Sequence, residues 1–205
     1  MRTVAEWLLA HGIGVLGQRI SWAELVGQLC ALAVVFFARR RTLTTWPVQV
    51  CATLLLLLVY AGAQLGGLAA RQVVILLISL HGLWAWYRRR DPVHGVPVRY
   101  AGGRERLLLA AGLVAATAAF ALVLSALDAS WAPWPDAWIF VGTALAFWAQ
   151  ARGLVEFWFV WLAVDAVGVP LQVVSGLRFS AAIYLVFVAL VVHGWWSWHR
   201  TARPA

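Results

Sequence analysis

The sequence predicts an all-α membrane protein with seven transmembrane helices, arranged as a 3+1+3 parallel repeat of three-helix bundles. Three observations carry that expectation. The 205 residues are 63% hydrophobic with a mean hydropathy of +0.83, and only 12% are charged, against roughly 25% in soluble domains. Apolar runs long enough to cross about 30 Å of hydrocarbon recur along the chain. A constant step of 112 residues relates its first part to its last.

Residues 1–20 hold an apolar run, Val4 to Gly17, interrupted by Glu6 and His11. It lacks a strong basic n-region and an A-x-A cleavage site, so an interfacial helix is expected rather than a signal peptide. Spans follow at Ser21–Ala38, Trp46–Gly66 and Ala70–Tyr87, making a first repeat over residues 21–87. Pro47 falls in the first turn of the second span, where a missing N–H costs nothing. An Arg-rich loop, 88–106, leads to Leu107–Leu127, mostly Ala, Leu and Val with no polar centre, which reads as a linker helix. A second repeat over 133–198 contains Ala137–Ala151, Leu154–Val174 and Ala181–Trp198, followed by a tail, 199–205. Pro170 is expected to kink the sixth span.

The repeat is read from matched residues. Trp22 steps to Trp134, Arg40 to Arg152, Trp46 to Trp158 and Leu65 to Leu177. His81-Gly82-Leu83-Trp84-Ala85-Trp86 steps to His193-Gly194-Trp195-Trp196-Ser197-Trp198 without a gap. Three crossings invert a chain, so a fourth helix is needed before the second copy can lie parallel to the first. A substrate site is then expected near the midplane between the copies.

Charge sets orientation and excludes several chemistries. All 16 basic residues are Arg. Without Lys there is no P-loop lysine, Schiff base or Ser–Lys dyad. With the N-terminus outside, twelve Arg fall on the inner side, among them Arg39 to Arg41, Arg88 to Arg90 and Arg152. Arg2, Arg19, Arg71 and Arg178 fall outside. That bias predicts an inner C-terminus in a multi-pass cell-membrane protein, and it accounts for a pI near 11 without nucleic acid. Cys30 and Cys51 sit in apolar runs without metal-ligand spacing, so neither a disulfide, a metal nor a cofactor is expected. No second intramembrane acid, HExxH or GxSxG points to an enzyme.

The sixth span carries the candidate site. Trp158, Trp161 and Asp165 are spaced i, i+3 and i+7 on one helical face, and an acid within lipid is by default functional. The bland alternative is that Asp165 accepts hydrogen bonds from indoles and joins helices. Positions where the copies differ add candidates: Trp161 faces Gln49 in the register, Asp165 faces Thr53, and Tyr184 faces Gln72. Indole, amide, phenol and acid together suit a neutral heteroaromatic ring bearing a polyol. Gln72 could instead cap its helix, Trp46 and Trp134 could anchor at the interface, and Trp84, Trp86, Trp196 and Trp198 read as an aromatic belt. His81 and His193 read as bonds to backbone carbonyls across a close helix contact.

These residues resemble the PnuC family of vitamin-precursor transporters, whose fold is like that of the SWEET sugar transporters. The likeness rests on Trp46-Pro47-Val48, Gln72, Gly82-Leu83-Trp84-Ala85-Trp86 and Trp158-x-x-Trp161-x-x-x-Asp165, and covers about Ser21 to Trp198. Trp134 to Thr143 and Ala149 to Trp158 look most like its actinobacterial riboflavin branch, RibM. The resemblance implies facilitated uptake with alternating access, made directional by cytosolic phosphorylation of the substrate, without ATP. It also implies that Trp158, Trp161 and Gln72 contact the substrate ring, with Gln49, Asp165, Tyr184 and Trp46 completing the expected site. Relatives that carry nicotinamide riboside commonly have Tyr-Ala-Asp shortly before the Gln, where this chain reads Leu65 to Arg71. Losing that acid favours neutral riboflavin over nicotinamide riboside or thiamine. A non-transporting membrane subunit or scaffold is the alternative of another class, and a homo-oligomer is left open.

Overall fold

The structure is a computed structural model and describes residues 2–15, 18–62, 64, 66–91, 95–174 and 178–202. Leu65 and Leu177, one pair of the 112-residue register, and Arg203 lie outside the described residues. A short helix α1 (Arg2–Ala10) and a hairpin of β1 (Gly12–Val15) and β2 (Gln18–Ser21) precede seven long helices. These are α2 (Trp22–Arg39), α3 (Thr45–Gly62), α4 (Gly66–Arg89), α5 (Gly103–Ala126), α6 (Pro133–Ala151), α7 (Phe157–Val174) and α8 (Arg178–His199). Their bounds lie within four residues of those expected from hydropathy.

The hairpin departs from an all-helical expectation. Gly12 and Gly14 are poor helix formers, so the apolar run does not continue as one helix. Gly12 also pairs with Ser21, and a Cβ on it would stand 1.7 Å from the Ile20 carbonyl oxygen. Only glycine permits strands this close.

Among the described residues, Thr45–Gly62, Ala69–Arg89, Gly103–Ala126 and Ala182–His199 are each long and apolar enough to cross a membrane. Shorter apolar stretches, Leu25–Arg39 and Phe157–Leu171, lie in α2 and α7. Helix α6 is instead enclosed by α4, α5 and α7, with Ala137, Ala146 and Ala149 fully buried. Small residues there let neighbouring helices approach, which is how helices associate when lipid offers no hydrophobic drive.

Contacts repeat at the 112-residue step. Helices α2, α3 and α4 pack in sequence, as do α6, α7 and α8. Two seams join the sets, α4 on α6 and α2 on α8, and each is the other with the copies exchanged. The ring of Trp46 lies over Gly82, and the ring of Trp158 lies over Gly194. Trp86 Nε1 donates to the Gln150 carbonyl at 2.9 Å, and Trp198 Nε1 donates to the Ala38 carbonyl at 3.1 Å. Gln150 is the register partner of Ala38, so these two bonds across the seams are equivalent.

Four indoles, Trp46, Trp86, Trp158 and Trp198, are 0% exposed and form one aromatic layer at the Arg-rich end. Trp46 meets Trp86 edge-on at 5.5 Å, and Trp158 meets Trp198 edge-on at 5.7 Å. Trp86 and Trp198 are therefore not interfacial, contrary to the belt expectation. Trp84 and Trp196 are half-exposed and do fit a belt, with the guanidinium groups of Arg88 and Arg200 over their rings. Residues 84 and 86 point about 200° apart on a helix, so one faces inward when the other faces out. His81 and His193 are exposed rather than set in a close helix contact.

The connection from α4 to α5 folds back onto the Arg-rich end, burying Val96, Val98 and Ala101. Arg99 N–H donates to the Gly153 carbonyl and Val155 N–H to the Arg99 carbonyl, both at 3.0 Å. Glu105 accepts two bonds from Arg99 at 2.7 Å, which raises the guanidinium pKa above its ordinary value. Glu156 accepts from Arg106 and from the Ala101 amide, each at 2.9 Å. Gly153 has φ +71°, and a Cβ there would lie 2.7 Å from the Pro97 carbonyl oxygen. We expect Gly153→Ala to destabilise the protein by about 1–3 kcal/mol. Thermal unfolding in detergent checks this; an unchanged midpoint would mean that the loop yields.

Candidate functional site

A cavity of about 170 Å³ runs between the two helix sets, walled by α2, α3, α4, α6, α7 and α8. Its position follows the register. Ala31 and Thr143, Val35 and Phe147, Ala38 and Gln150, Gln49 and Trp161, and Ile75 and Phe187 are register partners, and both members of every pair line it. The cavity therefore straddles the axis relating the copies. At one end it meets the indole layer through Trp158, and at the other it reaches Gly27, Arg71 and Gln72.

Four residues expected from sequence line this cavity: Trp158, Trp161, Gln49 and Gln72. Trp161 is held by edge contacts from Phe147 at 5.5 Å and Phe187 at 5.4 Å. Gln49 Nε2 donates to Thr53 Oγ1 at 2.9 Å, one turn along α3, and both side chains reach the wall. Trp158 is wholly buried, pressed between Gly194 and the ring of Phe157, whose centroid is 4.1 Å away.

Three others do not line it. Trp46 fills the slot over Gly82 within the indole layer. Tyr184 packs on Gly168, where a Cβ would stand 2.9 Å from its ring. The two helices α7 and α8 approach closely there, and neither Tyr184 nor Asp165 is part of the cavity wall. Asp165 is 2% exposed, and its carboxylate oxygens have no hydrogen-bond partner among the described residues. Trp138 and Trp198 donate to backbone carbonyls of Ala163 and Ala38 instead, so they do not serve as the indole donors expected for Asp165.

Thr143, Phe147, Gln150 and Arg71 line the cavity without having been singled out in the sequence. Comparing the copies would have found three of them, because Thr143 faces Ala31, Phe147 faces Val35 and Gln150 faces Ala38. Arg71 faces Ile183, but an Arg near a helix end reads first as a topology signal.

The polar character of the wall is one-sided. Trp158 Nε1, Gln150 Nε2 and Arg71 Nε are buried without a partner among the described residues. Trp and Arg side chains donate only. Among the described residues, none that lines the cavity is acidic. Buried donors without partners are costly, so the cavity is matched to a ligand that brings acceptors.

The profile of the nicotinamide mononucleotide transporter family matches residues 21–200. The chain belongs to that family. It is also 42% identical over 206 residues to the riboflavin/roseoflavin transporter RibM of Streptomyces davaonensis, covering 97% of this chain and 96% of the relative. Among solved structures it resembles the vitamin B3 transporter PnuC, with a TM-score of 0.70 at 18% identity over 88% of this chain and 81% of that one. That likeness shows the fold. Family, fold and apolar helices together make this a multi-pass membrane protein of a transporter family.

Proposed function

We propose that this chain is a riboflavin facilitator of the cell membrane. The observation that carries the proposal is the cavity wall, which among the described residues holds no acid, whose buried unpartnered polar atoms are donors, and which carries Trp158 and Trp161. Isoalloxazine is a neutral, flat ring system rich in carbonyl and ring-nitrogen acceptors, and it can stack on indole while accepting from these donors. The similarity to RibM supports the same cargo. In this reading Trp161 stacks on the ring, Gln49 and Gln72 bond its edge or the ribityl hydroxyls, and Trp158 and Gln150 donate from the indole-layer end.

Residues 21–87 and 133–198 act as two copies that rock about the cavity, with α5 returning the second to the orientation of the first. The Arg distribution supports an outer N-terminus and a cytoplasmic C-terminus. Closure by the indole layer then corresponds to a state sealed toward the cytoplasm. At about 170 Å³ the cavity is below the ~300–1,000 Å³ usual for drug-sized ligands, so the end near Arg71 must widen to admit the substrate. Net uptake follows from phosphorylation of riboflavin in the cytosol, without ion or ATP coupling.

The test is uptake by the purified chain in liposomes, with riboflavin, nicotinamide riboside and thiamine as separate substrates. Saturable equilibration of riboflavin alone is expected. Entry of nicotinamide riboside but not riboflavin would overturn the cargo, and no entry of any of the three would overturn autonomous transport.

A further inference from the structure

We infer that Arg71 is the residue that selects a neutral, carbonyl-bearing ring and rejects a cationic one. The inference rests on riboflavin being the cargo. Three observations support it. Arg71 lies in the second turn of α4 beside Gln72 and lines the cavity with Gln49 and Thr53 of α3. Its Nε is buried without a partner among the described residues. An arginine that only snorkelled to headgroups would keep its guanidinium hydrated. Finally, the register partner of Arg71 is Ile183, and among the described residues no other Arg and no acid line the cavity. On the wall of the space between the copies, the Nε of Arg71 thus has no acceptor among the described residues.

The chemistry follows from the fork of the guanidinium. Its parallel N–H groups match two acceptors in one plane, and a charged donor makes a stronger bond than a neutral one. An isoalloxazine presents such a pair where a carbonyl oxygen lies beside an unprotonated ring nitrogen, O4 with N5 or O2 with N1. A pyridinium or thiazolium ring brings positive charge into the same low-dielectric space and is repelled. Selectivity then comes as much from repulsion of the wrong ligand as from attraction of the right one.

The experiment measures binding of riboflavin and of nicotinamide riboside to purified wild type, Arg71→Gln and Arg71→Lys by fluorescence quenching, with thermal unfolding alongside. Arg71→Gln is expected to weaken riboflavin binding by about 10–100-fold and to tighten nicotinamide riboside binding, so that the preference narrows from both sides. Arg71→Lys keeps the charge but not the fork. It should lose riboflavin affinity while still excluding the cation, a split that general misfolding would not produce. Unchanged riboflavin affinity in Arg71→Gln, with wild type binding riboflavin, overturns this inference and leaves the cargo standing. Equal losses for both ligands in both variants also overturn it, because Arg71 would then serve only packing. Failure of wild type to bind riboflavin overturns the cargo, and this inference with it.

Discussion

Gly194→Ala lowers both stability and riboflavin affinity, whereas Gly82→Ala lowers stability with far less effect on binding. Within a helix, glycine to alanine ordinarily gains about 1 kcal/mol. Here the sign reverses. A Cβ at Gly194 would fall 2.3 Å from the Trp158 ring, and one at Gly82 would fall 2.3 Å from the Trp46 ring. Neither indole can retreat, because both are 0% exposed and are held by other rings of the layer. Overpacking of this kind costs about 1–3 kcal/mol. In a protein of this length that corresponds to about 2–4 °C of melting temperature per kcal/mol. The two sites differ in what lies beyond the ring: Trp158 lines the cavity and Trp46 does not. Thermal unfolding in detergent, paired with riboflavin titration, separates the two consequences. A Gly194→Ala midpoint at or above wild type would sink the close-packing account.

Trp161→Ala weakens riboflavin binding by one to two orders of magnitude and leaves the fold largely intact. Trp161 is only partly buried, in contrast to the four indoles of the layer, so its removal opens no sealed core. Its neighbours Phe147 and Phe187 meet it edge-on, and Phe147, Phe187 and Trp161 all line the cavity. Stacking of a heteroaromatic ring on an aromatic side chain is worth about 1–3 kcal/mol by alanine substitution in nucleic-acid complexes, or roughly 10–100-fold in affinity. Trp161→Phe keeps a smaller face and should lose less. Titration followed by flavin and Trp fluorescence reads both. A dissociation constant within twofold of wild type for Trp161→Ala would remove it from the site.

How much of the site was legible depends on the kind of information each residue carried. Trp158, Trp161, Gln49 and Gln72 were recoverable because the copies differ, or repeat an aromatic, at positions inside apolar helices, where polar and bulky groups need a reason. Asp165 was recoverable as unusual but not as lying off the cavity wall. It stands seven residues beyond Trp158, about 10 Å along the helix axis, and helical spacing gives a face without giving the cavity's depth. Helices α7 and α8 close on each other at Gly168 and Tyr184, one turn beyond Asp165. Arg71 was read only as a topology signal, because a basic residue near a span's end carries that signal in sequence and its place on the cavity wall appears only in the fold.

By itself the sequence determined the helices, their order and the pairing of positions across the copies. Lipid demands long apolar runs with satisfied backbones, and an ungapped register of 112 residues leaves little freedom in matching them. Only the tertiary structure decided which indole of each pair turns inward, where the N-terminal hairpin interrupts the helices, and which side chains meet across the axis. Those outcomes depend on helix rotation and close approach: the glycine under each Trp, the carbonyl opposite each indole N–H, the Tyr184 ring on Gly168. They are settled by contacts between residues far apart in the chain, which a hydropathy pattern does not contain.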